Sequence, residues 1–237
     1  MRIVINDKEV IIPSSLSEIT LGQRIDFHNQ YGKELDQMLT SIMEMEEGPE
    51  RELEVAQYHF ERMFMTFGFF AGVEPEALKE SKFIDDIANI YYSSLQVLFE
   101  DENNLDPQRL FNWKGEVWEI APPSLSQSTK MKFGEVIDSK QIIQDMVDLG
   151  AGKWEMMLKL SAIFLRKQGE AYRKEFMYED SERLQLMREL PMDIALQIGF
   201  FLSSSINFYQ NTLMSLENQE SKSKEDSLKS ISSNTAG

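Results

Sequence analysis

The chain has 237 residues, 42% hydrophobic and 11% aromatic, with no cysteine and a formal net charge of −16. That length supports one large core or two ordinary domains, and the lack of cysteine excludes disulfides, thiolate metal sites and a cysteine nucleophile. Residues 1–108 carry 8 basic and 22 acidic side chains (net −14) and residues 109–217 carry 13 and 15 (net −2), so repulsion from phosphate disfavours nucleic-acid binding through the first half.

The N-terminus is charged at Arg2, Asp7, Lys8 and Glu9 and has no apolar run of signal-peptide length. Ile3-Val4-Ile5 and Val10-Ile11-Ile12 flank a polar turn and stop at Pro13, the pattern of a short β-hairpin. Ser17 or Thr20 then caps a helix expected over 21–45, with Ile25, Tyr31, Leu35, Met38 and Ile42 at helical spacing. Gly48-Pro49 ends it and opens a second helix to about Ala71. This helix starts charged and finishes apolar on nearly every side, which predicts burial of its C-terminal half. A third helical region spans 76–99, and the polar run 101–107 closes the first half.

The second half opens with another hairpin over 110–120, turning near Lys114-Gly115. Helices are expected over 131–149, 153–174, 181–190 and 191–217. Residues 194–216 are free of charge, a length that could span a bilayer. Gln, Ser, Asn and Thr side chains interrupt them, Gln197, Ser203 and Asn207 among them, and positions 195, 198, 202, 206, 209, 213 and 216 form an apolar seam at three–four spacing, so the segment reads as a packed helix and not a membrane span. Residues 218–237 are polar with few apolar anchors and are expected to be a disordered tail.

Both halves repeat similar words. Glu9-Val10 answers Glu116-Val117, and Pro13-Ser14-Ser15-Leu16-Ser17 answers Pro122-Pro123-Ser124-Leu125-Ser126. Gly22-x-x-Ile25-Asp26 answers Gly134-x-x-Ile137-Asp138, Phe60-Glu61-x-Met63 answers Trp154-Glu155-x-Met157, and Asp86-Ile87-Ala88 answers Asp193-Ile194-Ala195. The expected fold is mainly α, built of two similar units at 1–108 and 109–217, each a short β-hairpin followed by a three- to four-helix bundle.

Motifs for chemistry are few. His28 and His59 lie on different helices without the carboxylate spacing of a metal site. No glycine-rich phosphate loop or nucleophile elbow occurs, and the repeated Asp residues sit where acids complement helix N-termini. No catalytic residue, cofactor or metal is expected. The candidate protein-interaction residues are Lys159, Arg166 and Arg173, seven apart on the expected 153–174 helix, with Lys167 and Lys174 beside them, and Trp113 and Trp118 around the second hairpin turn. Such a basic stripe suits an acidic protein surface or, alternatively, packaged DNA; a solvated face with interspersed Glu170, Glu175 and Glu179 is the plainer explanation.

The runs FNWKGEVWEI, MKFGEVIDSKQ, FLRKQGEAY and RELPMDIALQIGFFLSSS resemble small structural and assembly proteins of tailed bacteriophages, nearest to those encoded beside head–tail genes in crAss-like phages of gut bacteria. The opening VINDKEVIIPSSLSEITLGQRIDF similarly resembles tail-assembly-chaperone-like proteins. The resemblance spans most of residues 1–217 and brings no catalytic residues. It implies a mostly helical, non-enzymatic virion-associated structural or cargo protein, in multiple copies, whose partners are other phage proteins of the tail or portal region. The alternative it implies is a tail-assembly chaperone in the host cytoplasm, absent from the finished virion. Neither implies a membrane partner.

Overall fold

The computed structural model describes residues 2–5, 8–80, 84–96, 108–121, 133–148 and 152–201. The tail at 218–237, the seam beyond 201, the polar run 101–107 and the Pro122–Ser126 echo lie outside these residues. The described chain is mainly helical with two small antiparallel sheets.

Strands β1 (Arg2–Ile5) and β2 (Lys8–Ile11) pair with Arg2 opposite Ile11 and Ile5 opposite Lys8. The chain then reaches Thr20, which caps α1 (Leu21–Phe27) with a full capping box: its hydroxyl accepts from the Gln23 amide, and the Gln23 side chain accepts from its own amide. The expected long first helix is one rod in three segments. After α1 comes a π turn at His28–Gly32, then α2 (Lys33–Met43). Helix α3 (Pro49–Ala71) follows with Pro49 in its first turn. It ends at Gly72, whose φ of 65° is the left-handed value that glycine adopts without a Cβ penalty, and the Val73 amide donates back to the Gly68 carbonyl at 2.9 Å. Helices α4 (Pro75–Lys79) and α5 (Ile84–Ile90), with a second π turn at Tyr91–Leu95, complete the first half.

In the second half, β3 (Leu110–Trp113) and β4 (Glu116–Ile120) turn at Lys114-Gly115, both with positive φ, as the hairpin's twist requires. Helix α6 (Phe133–Asp148) precedes α7 (Lys153–Phe164). The expected helix over 153–174 stops ten residues early, at Phe164. The chain straightens into β5 (Leu165–Lys167), which adds to β4 with Ile120 opposite Leu165 and Trp118 opposite Lys167. Pairing with β4, which would otherwise leave an open ladder edge, replaces the helix there, and Gly169 at φ 85° turns the chain after β5. A 3-10 turn at Lys174–Met177, α8 (Glu182–Arg188) capped by the Ser181 hydroxyl, and a helix over 192–201 finish the described chain.

Three apolar clusters hold these elements. The largest joins Trp113, Trp118 and Ile120 of the sheet to Trp154, Leu158 and Phe164 of α7, to Leu184 and Met187 of α8 and to Ile194 and Ile198 of the last helix. Ile19, Leu21 and Ile25 from the first half belong to this same cluster. A second cluster packs Met63, Phe64 and Phe67 of α3 on Ile12, Leu78, Ile87, Tyr91 and Leu95. A third, of Phe27, Leu35 and Met65, sits between the α1–α2 rod and α3.

The burial has measurable consequences. Trp118 is 1% exposed and packs on Trp113 at 5.1 Å, its indole N–H donating to the Trp113 carbonyl at 3.0 Å. Trp118→Ala is expected to lower stability by about 3–5 kcal/mol in urea unfolding, as for other large core truncations. At Gly68 a Cβ would stand 2.5 Å from the Val73 carbonyl oxygen, a backbone atom that the α3 terminus holds in place. Gly68→Ala is therefore expected to lose about 1–3 kcal/mol despite alanine's better helix propensity, because overpacking against backbone outweighs it; an unchanged urea midpoint would contradict this close approach.

Candidate functional site

The residues singled out by sequence fall into two groups that the fold separates. Trp113 and Trp118 are both buried, at 8% and 1% exposure, so the aromatic pair of the second hairpin is core and not an anchor on the surface. The reason lies in β5, which covers the edge of β4, and in α8, whose Arg183 closes over the ring. The Arg183 guanidinium lies 4.8 Å from the Trp118 ring and 4.8 Å from the Phe176 ring. Its Nη2 donates to the Leu165 carbonyl and lies 3.2 Å from Glu170. Burial pushes the Arg183 pKa down from its usual value, and the Glu170 carboxylate opposes that shift.

The basic residues do not form a stripe, because no helix carries all of them. Lys159 is on α7 and pairs with Glu179 at 2.6 Å. Arg166 is on β5 opposite Glu119 and only 5% exposed. Lys167, next along β5, is exposed, pairs with Glu116 at 2.7 Å and lies 5.8 Å from the Trp118 ring. Arg173 and Lys174 are exposed where the chain enters the 3-10 turn, with no ion-pair partner among the described residues. The seven-residue spacing thus places one of the three on a helix, one in a strand and one in a loop. What remains at the surface is Lys159 and Lys167, each paired with a Glu, and Arg173 and Lys174 at a turn.

A different surface emerges in the first half. Along α3, Leu53 and Phe60 are 68% and 53% exposed. With about 100° per residue, Leu53, Ala56, Phe60, Phe64 and Phe67 lie on one stripe of the helix. The C-terminal part of that stripe, Phe64 and Phe67, is buried in the second cluster under α4 and α5. Its N-terminal part is open to solvent. Glu50, Glu54 and Gln57 line one border and Glu52 and His59 the other, all exposed. On the far side of α3 from this stripe, Arg62 donates to the Tyr91 hydroxyl at 3.0 Å and lies 5.5 Å from the Tyr58 ring, which packs on the cluster of Phe27, Leu35 and Met65; Tyr92, beside Tyr91, is 58% exposed. The sequence does not single out Leu53, and it places Phe60 with the apolar end of the helix, where burial is expected. The signal was present in their spacing of seven, but it continues into buried residues and so looks like core along its whole length.

The remaining chemistry-bearing residues are structural. Asp26 pairs with Arg188 at 2.6 Å, Asp138 accepts from the Tyr172 hydroxyl at 2.9 Å, and the Asp193 carboxylate accepts from the Ile194 amide at 2.9 Å. The repeated aspartates therefore do different work in the two halves. His28 packs on Gly32 and Gly152, and burial together with Arg62 lowers the pKa of His59. Among the described residues, no group of three or more His, Asp or Glu is placed to hold a metal ion, and no described helix is long and apolar enough to cross a membrane. Comparison with family models, curated proteins and solved structures finds no match to this chain.

The two classes of arginine separate cleanly in a mutational test. Arg183→Ala leaves the Leu165 carbonyl without its Nη2 donor and opens a gap between Trp118 and Phe176, and is expected to destabilise by about 3–5 kcal/mol, as for truncation of a large core side chain. Arg173→Ala is expected to change stability by less than about 0.5 kcal/mol, as for a surface position without structural duty. Equal urea midpoints for the two variants would contradict the placement of Arg183.

Proposed function

We propose that this chain is a non-enzymatic, protein-binding component of a tailed bacteriophage, carried in the virion near the tail or portal and present in several copies. The observation that carries the binding role is the exposed end of the α3 stripe, Leu53 and Phe60, because single domains seldom leave aligned large apolar side chains in water without a partner. The phage setting rests on the resemblance of the runs beginning at Phe111, Met131, Phe164 and Arg188 to phage structural and assembly proteins.

We also infer that the chain is one supersecondary unit used twice. Supporting this, hairpin β1–β2 corresponds to β3–β4, α3 to α7, α4 to α8, and α5 to the helix over 192–201, in the same order. Phe60-Glu61 and Trp154-Glu155 fall on corresponding helices, as do Asp86-Ile87-Ala88 and Asp193-Ile194-Ala195. On this reading β5 and the 3-10 turn are an insertion in the second unit. The units at 1–108 and 109–217 are then repeats of sequence that share a core through Ile19, Leu21 and Ile25, and not separately folded bodies.

Mass spectrometry of purified particles tests the role. Recovery of the chain with tail or portal proteins is the expected result. Recovery in complexes from infected cells but not from particles would assign the chain to assembly, as a chaperone. Recovery without any other phage protein from both would overturn the binding role itself.

A further inference from the structure

We propose that the N-terminal half of α3 docks one amphipathic, basic helix of a partner protein, with Leu53 and Phe60 as its apolar contacts and the flanking glutamates as its polar rim. This rests on the protein-binding role proposed above and names the chemistry of the partner at that surface.

The argument begins with how the stripe ends. Phe64 and Phe67 are 6% and 0% exposed because α4 and α5 lie over them. One and three turns toward the N-terminus from Phe64 the same stripe continues as Phe60 and Leu53, and nothing among the described residues covers it. A helix laid along α3 would extend the cover that the fold already provides, meeting residues at i, i+3 and i+7, the spacing by which a helix face is read. Lone exposed leucines need no explanation; an uncovered continuation of a buried stripe does.

Charge selects the occupant. Glu50 and Glu54 on one border and Glu52 on the other are exposed, and the tip just before them adds Glu44, Glu46 and Glu47. Arg51, 3.7 Å from Glu47, is the basic side chain of the same turn. A second copy of this chain would bring another strongly acidic first half and be repelled. A partner helix with Lys or Arg beside its apolar face would gain from both borders, with attraction screened over about 8 Å at physiological salt.

The test uses the full chain and a defined probe: a fluorescently labelled helical peptide of three heptads with Leu at the apolar positions and Lys elsewhere, followed by fluorescence anisotropy. A matched peptide with Glu in place of Lys is the control. The Lys peptide is expected to bind with an affinity that falls as salt rises, and the Glu peptide is expected not to bind. Leu53→Ser with Phe60→Ser should weaken the Lys peptide roughly tenfold or more at an unchanged thermal midpoint. Hydrogen exchange on the wild-type chain should show new protection confined to 50–62. Equal affinity for the double variant, equal binding of the Glu peptide, or protection elsewhere would overturn the proposal. Should the peptide fail while the chain still purifies with other phage proteins, only this surface is lost; a chain that purifies alone removes the binding role.

Discussion

The structure turns on a crossing of two short segments far apart in sequence. The Leu21 amide donates to the Leu190 carbonyl at 2.8 Å, and the Met192 amide donates to the Ile19 carbonyl at 2.9 Å, so Thr20 and Pro191 face one another as an isolated antiparallel bridge. Each segment immediately precedes a helix, α1 and the helix over 192–201. The bridge therefore fixes two helix starts at once, and Ile19, Leu21 and Leu190 are each fully buried beside it. Asp26 and Arg188, one turn along from the crossing, add an ion pair on the outside. Because half-buried surface pairs contribute little, the weight falls on the two backbone bonds and the apolar side chains that keep water from them. Loss of the crossing would separate α1 from α7 and α8 and expose the floor of the largest cluster.

A second constraint follows from Arg183. A guanidinium buried between two rings carries a desolvation cost of several kcal/mol unless its donors are used. Here the Leu165 carbonyl and Glu170 take Nη2 and the rings of Trp118 and Phe176 supply their negative faces, while the buried Nε has no hydrogen-bond partner, so part of that cost remains. The same arrangement explains β5. Leu165 must present its carbonyl to α8, which it does only in an extended conformation, so the helix that sequence periodicity carries through residue 174 has to stop at Phe164. Strand pairing, the arginine clamp and the burial of Trp118 are one arrangement and stand or fall together.

What could be read in advance was local chemistry. Gly48-Pro49 and Gly72 mark both ends of α3, Thr20 with Gln23 is a complete cap, and Lys114-Gly115 turns the second hairpin. Each signal lies within a few residues of the feature it specifies. What could not be read depended on partners distant in sequence. The end of α7 is set by β4, more than forty residues earlier, and the burial of Arg166 follows from its place opposite Glu119. Charge spacing alone cannot tell a solvated arginine from one held in a core, which is why Lys159, Arg166 and Arg173 looked like a stripe. The π turns at His28–Gly32 and Tyr91–Leu95 were invisible for a similar reason: an extra residue in a turn leaves the apolar pattern nearly intact.

The uneven charge takes on meaning once the elements are placed. The α2–α3 hairpin carries Glu44, Glu46, Glu47, Glu50, Glu52 and Glu54 around its tip, while the shared core is built chiefly by the second half. Solubility alone would be served by acids spread over the whole surface. Concentrating them at one projecting end adds self-repulsion there, although Glu50 and Glu52 recover part of it by sitting in the first turn of α3, where the helix dipole favours them. Such a concentration gives the molecule a direction: one end repels its own kind and attracts basic surfaces, and the other packs. The exposed Leu53 and Phe60 lie within the acidic end and not apart from it, so the charges that would draw a basic partner in surround the apolar residues that would hold it. On the proposed binding role, long-range attraction and short-range burial would act on the same stretch of helix, an arrangement that solubility does not require.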